Sequence, residues 1–441
     1  VGEFPGLEET IKILYELPNI APCYIIKGNK ETYQLNGLGE NHPEWDEYPS
    51  TIGMIRYGSQ HLTDKDLDYL KGLPISMTVH LDGKPIYDIV MEENYDRLGQ
   101  EVAALSVRDR RLCVVTDSTV AELYSDTVIR QLEPVCREVH LFVFPAGEEN
   151  KNLDTVRDVY RFLIEEGFDR KDMLLALGGG VCGDLTGFVA ATYLRGIDFV
   201  QIPTTLLAQA DSSIGGKTGV DFDSYKNMVG AFKMPRLVYM NLSVLKTLEE
   251  RQFYSGFAEV MKSALIKDAP FYEWLIENMY EICERDLNTL EEMVIRTCSI
   301  KKMVVEKDPT EQGDRALLNL GHTIGHAIEK YKNFELYHGE CVALGTVAAA
   351  YISWKKEMLS MEEFYEIRDM FVPFYLPISV DDIDPQEILK LTKSDKKMEA
   401  GTIKFILLKK IGKAVIDRTV TDEEILAAIE EINFSEEDAH E

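Results

Sequence analysis

Between Arg111 and Ile202 short apolar runs alternate with segments whose apolar residues recur every three or four positions. The runs Arg111 to Thr116, Glu138 to Phe144, Met173 to Leu177 and Phe199 to Ile202 predict strands. The segments Val120 to Cys136 and Leu153 to Glu166, and the one opening at Asp184, predict helices. Such alternation argues for a parallel sheet with helices on both faces, an α/β class. After about Leu245 the period becomes helical throughout. It predicts helices over Phe257 to Lys267, Phe271 to Arg285, Leu287 to Lys307, His322 to Tyr331, Gly339 to Met358 and Met361 to Phe371. Asp308-Pro309 closes the third of these. A small hairpin (Ile403 to Leu408 with Ala414 to Asp417) and an amphipathic helix (Asp422 to Ile432) end the pattern. The first 88 or so residues differ: a helix (Glu8 to Leu17), a strand (Cys23 to Lys27), a polar loop, a short helix and a strand (Ser76 to Leu81) before Asp82-Gly83. The chain divides on this basis into 1–86, an α/β domain over 87–245, and a helical domain over 246–441.

Ligands of parallel sheets sit at the carboxyl ends of the strands. Asp117, Glu148, Lys151, Gly178 to Asp184, and Thr204-Thr205 all fall there. Gly178, Gly180 and Gly183 satisfy G-x-G-x-x-G after a strand, a turn on which a pyrophosphate rests, and glycine suits it through positive φ and the missing Cβ. That makes the α/β domain Rossmann-like and dinucleotide-binding. Asp211-Ser212-Ser213, the turn Gly215-Gly216 with Lys217, and Lys226-Asn227 follow within sixty residues.

Composition narrows the partners. The chain has 441 residues, 45% hydrophobic, with a net charge of −29. That field argues against nucleic acid or an anionic membrane as a partner, so an anionic small molecule needs a local basic pocket. Seven scattered cysteines without C-x-x-C suit a reducing compartment. With no long apolar run and no signal pattern, a cytoplasmic location is expected. Of eight histidines, His322, His326 and His338 lie within seventeen residues. His322 and His326 are i, i+4, on one helical face, which is zinc-ligand spacing for both. Glu259 is the best carboxylate to join them, with Glu329 and Glu340 as rivals on spacing that are expected to be solvated. Lys262, Lys301, Arg315 and Asn319 supply donors for a phosphate and a carboxylate.

Two resemblances add to this reading. The run CYIIKGNKETY with LTDKDLDYLKGLP resembles the middle of a calcineurin-like metallophosphoesterase, but Lys30 replaces the family's histidine and its other metal motifs are missing. The resemblance implies a truncated, inactive remnant over 1–86. From about residue 88 onward, GGGVCGDLTGFVA, YLRGIDFVQIPTTLLAQADSSIGGKTGVD, KNMVGAF, GFAEVMKSALIKD, RALLNLGHTIGHAIE and YHGECVALG resemble the 3-dehydroquinate synthase family of sugar-phosphate cyclases.

That resemblance implies a lyase of the shikimate pathway, converting a phosphorylated keto acid to 3-dehydroquinate and phosphate. The implied route is transient NAD-dependent oxidation, phosphate loss, re-reduction and aldol closure. It places Zn2+ or Co2+ on Glu259, His322 and His338, moving His326 to the substrate phosphate. It places NAD on Asp117, Glu148, Lys151, Gly179, Gly180, Asp184, Thr204, Thr205, Lys217, Lys226 and Thr247. The substrate pocket falls on Arg195, Asp211, Lys217, Asn227, Lys262, Lys301, Arg315, Asn319, His326 and one of Lys396 or Lys397, with Lys397 favoured. Asn241 and Pro309 depart from the family's pattern. A homodimer is implied, and an inosose or valiolone synthase is the alternative.

Overall fold

The computed structural model describes residues 75–223, 225–394 and 404–434. The expectations for the metallophosphoesterase-like segment up to residue 74, and for Lys396 and Lys397, lie outside them. The chain forms two compact units. Of the described residues, 75–78 and 88–92 belong to one, and 79–87 with everything after 92 to the other. Strand β1 (Ile75–Leu81) turns at Asp82 and Gly83, both with positive φ, into β2 (Lys84–Glu92), which runs across the expected boundary at residue 86.

In the larger unit, α1 (Leu98–Ala103) precedes β3 (Arg111–Asp117), α2 (Asp126–Leu132), β4 (Glu138–Phe144), α3 (Leu153–Glu165), β5 (Met173–Gly178), α4 (Gly180–Thr192) and β6 (Asp198–Pro203). An antiparallel pair, β7 (Lys217–Phe222) with β8 (Tyr225–Phe232), leads to β9 (Leu237–Asn241). The parallel ladder runs β9–β6–β5–β3–β4. Met173 to Gly178 are all buried, as a central parallel strand covered on both faces requires. Leu174 and Ala176 pack with Cys182, Leu185 and Val189 of α4 and Val156, Val159 and Leu163 of α3.

Helices follow: α5 (Glu250–Lys267), α6 (Ala269–Glu277), α7 (Leu287–Lys307), α8 (His322–Tyr331), α9 (His338–Lys355), α10 (Met361–Asp369), α11 (Pro385–Ser394) and α12 (Asp422–Ile432), with the hairpin β10 (Phe405–Lys410) and β11 (Lys413–Asp417) before the last. Several helical bounds differ from expectation: α4 opens at Gly180 and not at Asp184, and α2 ends at Leu132 and not at Cys136. Two further differences have a visible local cause. The helix expected over Phe271 to Arg285 breaks at Asn278, whose side chain donates to Trp274 O at 2.8 Å and competes for the helix's own acceptor. Helix α5 begins seven residues earlier than expected, because Glu249 caps it by accepting from the N–H groups of Arg251 and Gln252. Among the described residues no helix is long and apolar enough to cross a membrane.

Candidate functional site

Three helices build the cluster, α8 and α9 with its histidines and α5 with its carboxylate. Nearly every residue of α5 from Phe253 to Ile266 is buried, Glu259 and Lys262 included. Helices α8 and α9 meet so closely that a Cβ on Gly345 would lie 1.8 Å from Gly321 O. Gly321 itself has φ +79, a left-handed turn that starts α8 at His322. This crossing carries His322 to His338, with ring centroids 5.3 Å apart, and the ligand nitrogens of His322, His326 and His338 all lie within 4.8 Å of one another.

Glu259 Oε1 lies 3.3 Å from His338 Nε2 and 3.6 Å from His322 Nε2. A tetrahedral ion with bonds of about 2.1 Å sets its ligands roughly 3.4 Å apart, so these two separations fit two edges of such a site. Nδ1 of His322 sits 3.0 Å from Leu320 O, which favours the tautomer that leaves Nε2 free to ligate. One carboxylate and two imidazoles suit zinc or cobalt. His326 stands exposed beside them, 4.9 Å from His322 between ring centroids. Burial and the nearby Lys262 keep His322 well below its ordinary pKa. Lys262 Nζ pairs with Glu259 Oε2, both side chains 2% exposed.

The expected rivals of Glu259 are not solvated. Glu340 is buried, accepts from Tyr337 N at 2.8 Å and takes a two-pronged contact from Arg251. Glu329 is buried with 3% side-chain exposure, 2.7 Å from Lys226 Nζ and 3.9 Å from His338 Nδ1. Burial alone would raise its carboxyl, but His338 and Lys226 hold it down at about 2. Glu329 lies seven residues after His322, two turns on and on the same face, and that spacing marked it.

Around the cluster, Lys301 Nζ meets Asp211 Oδ1 at 2.6 Å. Burial pulls the Lys301 ammonium down while Asp211 pulls it back up. Arg315 is buried and donates to Gly215 O at 3.0 Å, leaving its buried Nε without a hydrogen-bond partner among the described residues. Asn319 Nδ2 donates to Glu311 Oε1 at 2.8 Å, and Lys217 pairs with Oε2 of the same carboxylate. Asn227 has φ +56, held by its N–H donating to Asp221 Oδ1 at 2.7 Å. Glu311 and Asp221 carried no pattern in the sequence.

Arg195 has a different place in the fold. It is exposed, with φ +70, three residues before β6, where α4 has returned the chain to the amino end of the sheet. Asp117, Glu148, Lys151, Gly179, Gly180, Asp184, Thr204 and Thr205 follow the carboxyl ends of β3, β4, β5 and β6.

The cofactor candidates line those carboxyl ends. Asp117 caps the following turn, accepting from Thr119 N and Val120 N. Lys151 Nζ contacts Asp184 Oδ2 and Asn227 Oδ1, each at 2.7 Å. Glu148 lies 3.5 Å from Lys226. Thr247 shares its hydroxyl with Tyr124. None of Gly178, Gly179, Gly180 and Gly183 has a positive φ, so conformational freedom is not why they are glycine. The reason is close approach: a Cβ on Gly179 would meet Thr205 at 3.0 Å and one on Gly183 would meet Gln201 at 2.7 Å. Thr204 Oγ1 is buried here without a hydrogen-bond partner among the described residues, beside the start of α4. An open backbone at a helix N-terminus, an unpaired hydroxyl and acidic residues flanking it fit a dinucleotide.

Residues 141–255 match the 3-dehydroquinate synthase N-terminal family and residues 256–398 its C-terminal family. The 3-dehydroquinate synthase of Acetivibrio thermocellus is 44% identical over 355 residues, covering 80% of this chain and 98% of that relative. Among solved structures, the 2-epi-5-epi-valiolone synthase ValA of Streptomyces hygroscopicus with NAD+ and Zn2+ bound is 29% identical, with a TM-score of 0.74 over 81% of this chain and 99% of that one. A 2-deoxy-scyllo-inosose synthase complexed with carbaglucose-6-phosphate, NAD+ and Co2+ is 25% identical, with a TM-score of 0.72 over 80% and 99%.

Proposed function

Since the chain belongs to the 3-dehydroquinate synthase family, we propose that its site converts 3-deoxy-D-arabino-heptulosonate 7-phosphate to 3-dehydroquinate and phosphate. The observation that carries this is the meeting of Glu259, His322 and His338 beside four buried or half-buried donors, Lys262, Lys301, Arg315 and Asn319. When bound, NAD supplies a transient hydride acceptor and zinc or cobalt a Lewis acid, with no net oxidation.

Glu259, His322 and His338 hold the ion. Asp117, Glu148, Lys151, Gly179, Gly180, Asp184, Thr204, Thr205, Lys226 and Thr247 hold NAD, with Lys217 at its edge. Lys262 and Lys301 polarise the substrate hydroxyls, each pinned by a carboxylate, Glu259 or Asp211. Arg315, with Lys301, faces the substrate carboxylate. Lys217, Asn227, Asn319 and His326 hold the phosphate, and Arg195 and Lys397 complete the assignment. Burial of Lys262, Lys301 and Arg315 strengthens their contacts in a poorly screened environment. We divide the chain into 1–86, 87–245 and 246–441, and assign it to the cytoplasm as a homodimer acting on a small molecule.

The test is phosphate release from the phosphorylated keto acid with NAD and Zn2+. Release that a chelator abolishes, without net NADH, is expected. Turnover of a hexose or heptulose phosphate with none of the keto acid would instead favour the inosose or valiolone reading. Net NADH formation from an alcohol would make the protein a dehydrogenase.

A further inference from the structure

Glu329 is a buried carboxylate for which the chemistry above has no use. An ion so enclosed is destabilising unless it is paired, and its two neighbours, a lysine and an imidazole, are telling. Oε1 lies 2.7 Å from Lys226 Nζ, and Oε2 faces His338 Nδ1 at 3.9 Å. The opposite nitrogen of that ring, Nε2, points at Glu259. Lys226 also lies 3.5 Å from Glu148 Oε1, at the carboxyl end of β4 on the cofactor side. Four charged or ionisable side chains thus form a chain of contacts, Glu148–Lys226–Glu329–His338, from one binding site to the other.

We propose that Glu329 is a positioning residue for the ligand His338, and that Lys226 ties it to the cofactor side of the cleft. This rests on His338 ligating the ion. A carboxylate behind a ligating imidazole orients the ring and raises its basicity. At 3.9 Å the pair is electrostatic, and a shift of about 1 Å brings it into hydrogen-bond range. Because Lys226 is shared, whatever engages it on the cofactor side changes how firmly Glu329 is held. By linkage, metal affinity then depends on NAD, and NAD affinity on the metal by the same factor.

The test is equilibrium binding of Zn2+ alone, by competition with a chromogenic chelator, together with the visible spectrum of the Co2+-loaded protein. Neither readout needs turnover, so a failed phosphate-release assay leaves this result standing on its own. Glu329→Gln is expected to weaken Zn2+ by about 10- to 100-fold and to alter the Co2+ spectrum, and Glu329→Asp to recover part of the loss. In the wild type, saturating NAD changes the Zn2+ dissociation constant by about fivefold or more. In Lys226→Met that factor falls to about one, and Lys226→Arg restores it. Zn2+ affinity in Glu329→Gln equal to the wild type, or an NAD effect unchanged in Lys226→Met, overturns the proposal. Should Glu329→Gln fail to fold, the Lys226 pair decides it.

Discussion

Asn319 donates its amide to Glu311 at 2.8 Å, and Lys217 is paired with the other oxygen of the same carboxylate. Two groups assigned to the substrate phosphate are therefore held by an internal anion. Removing that competitor frees both donors. In Glu311→Gln, inorganic phosphate is expected to inhibit about three- to tenfold more tightly, a gain near 1 kcal/mol for a half-exposed ionic contact. An inhibition constant unchanged from the wild type would place the phosphate elsewhere.

Glu259 is the carboxylate on which both ligand histidines converge. Glu259→Gln removes an anionic ligand and leaves Lys262 buried without its partner. Bound zinc should drop below stoichiometric, and kcat should fall at least about a thousandfold, equivalent to roughly 4 kcal/mol. Metal analysis of the purified variant beside its rate checks both.

Gly345 packs its backbone on Gly321 so tightly that no Cβ fits. Gly345→Ala must push α9 from α8, at a cost of about 3 kcal/mol. A lowered melting temperature with weakened zinc binding is expected, because the same crossing joins His322 to His338. A variant as stable as the wild type would mean the two helices yield easily.

Asp308 accepts from Gln312 N, Gly313 N and Arg315 N at 2.9, 2.7 and 3.0 Å. Burial raises its carboxyl, but these donors and the Arg315 charge prevail and hold it below the ordinary value. A depressed folded-state pKa contributes stability that is present above the unfolded value, about 4, and lost as pH falls through the folded one. Asp308→Ala should cost about 1–3 kcal/mol at neutral pH, with the gap to the wild type narrowing below about pH 4. Denaturant midpoints across that range would show it.

The hydroxyl of Tyr87 accepts from Gly215 N at 3.1 Å, beside the turn that Arg315 also contacts. Deleting residues 1–74 keeps this contact, and kcat/KM should stay within about twofold. Deleting 1–92 removes it and leaves a buried donor unpaired, at about 1–3 kcal/mol. Equal loss in both deletions would assign the first segment a role of its own.

Periodicity along the chain was enough for the parallel strands, the limits of α7 and α8, and the pairing of His322 with His326 on one face. These follow from backbone geometry over a few residues, which neighbours in sequence decide. The glycine motif was legible as a strand-to-helix turn, although its reason proved to be packing against Thr205 and Gln201 and not positive φ. Spacing could not say which carboxylate meets the histidines. Glu259, Glu329 and Glu340 look alike on their helices, and only the crossing of α5, α8 and α9 sets Glu259 between two ligands, Glu329 behind one, and Glu340 against Arg251. In the same way Arg195 lies near the glycine loop in sequence but at the other end of the sheet, because a helix of thirteen residues carries the chain back along the strand. Local chemistry is written in the order of residues; which charges face one another depends on packing between segments far apart in the chain.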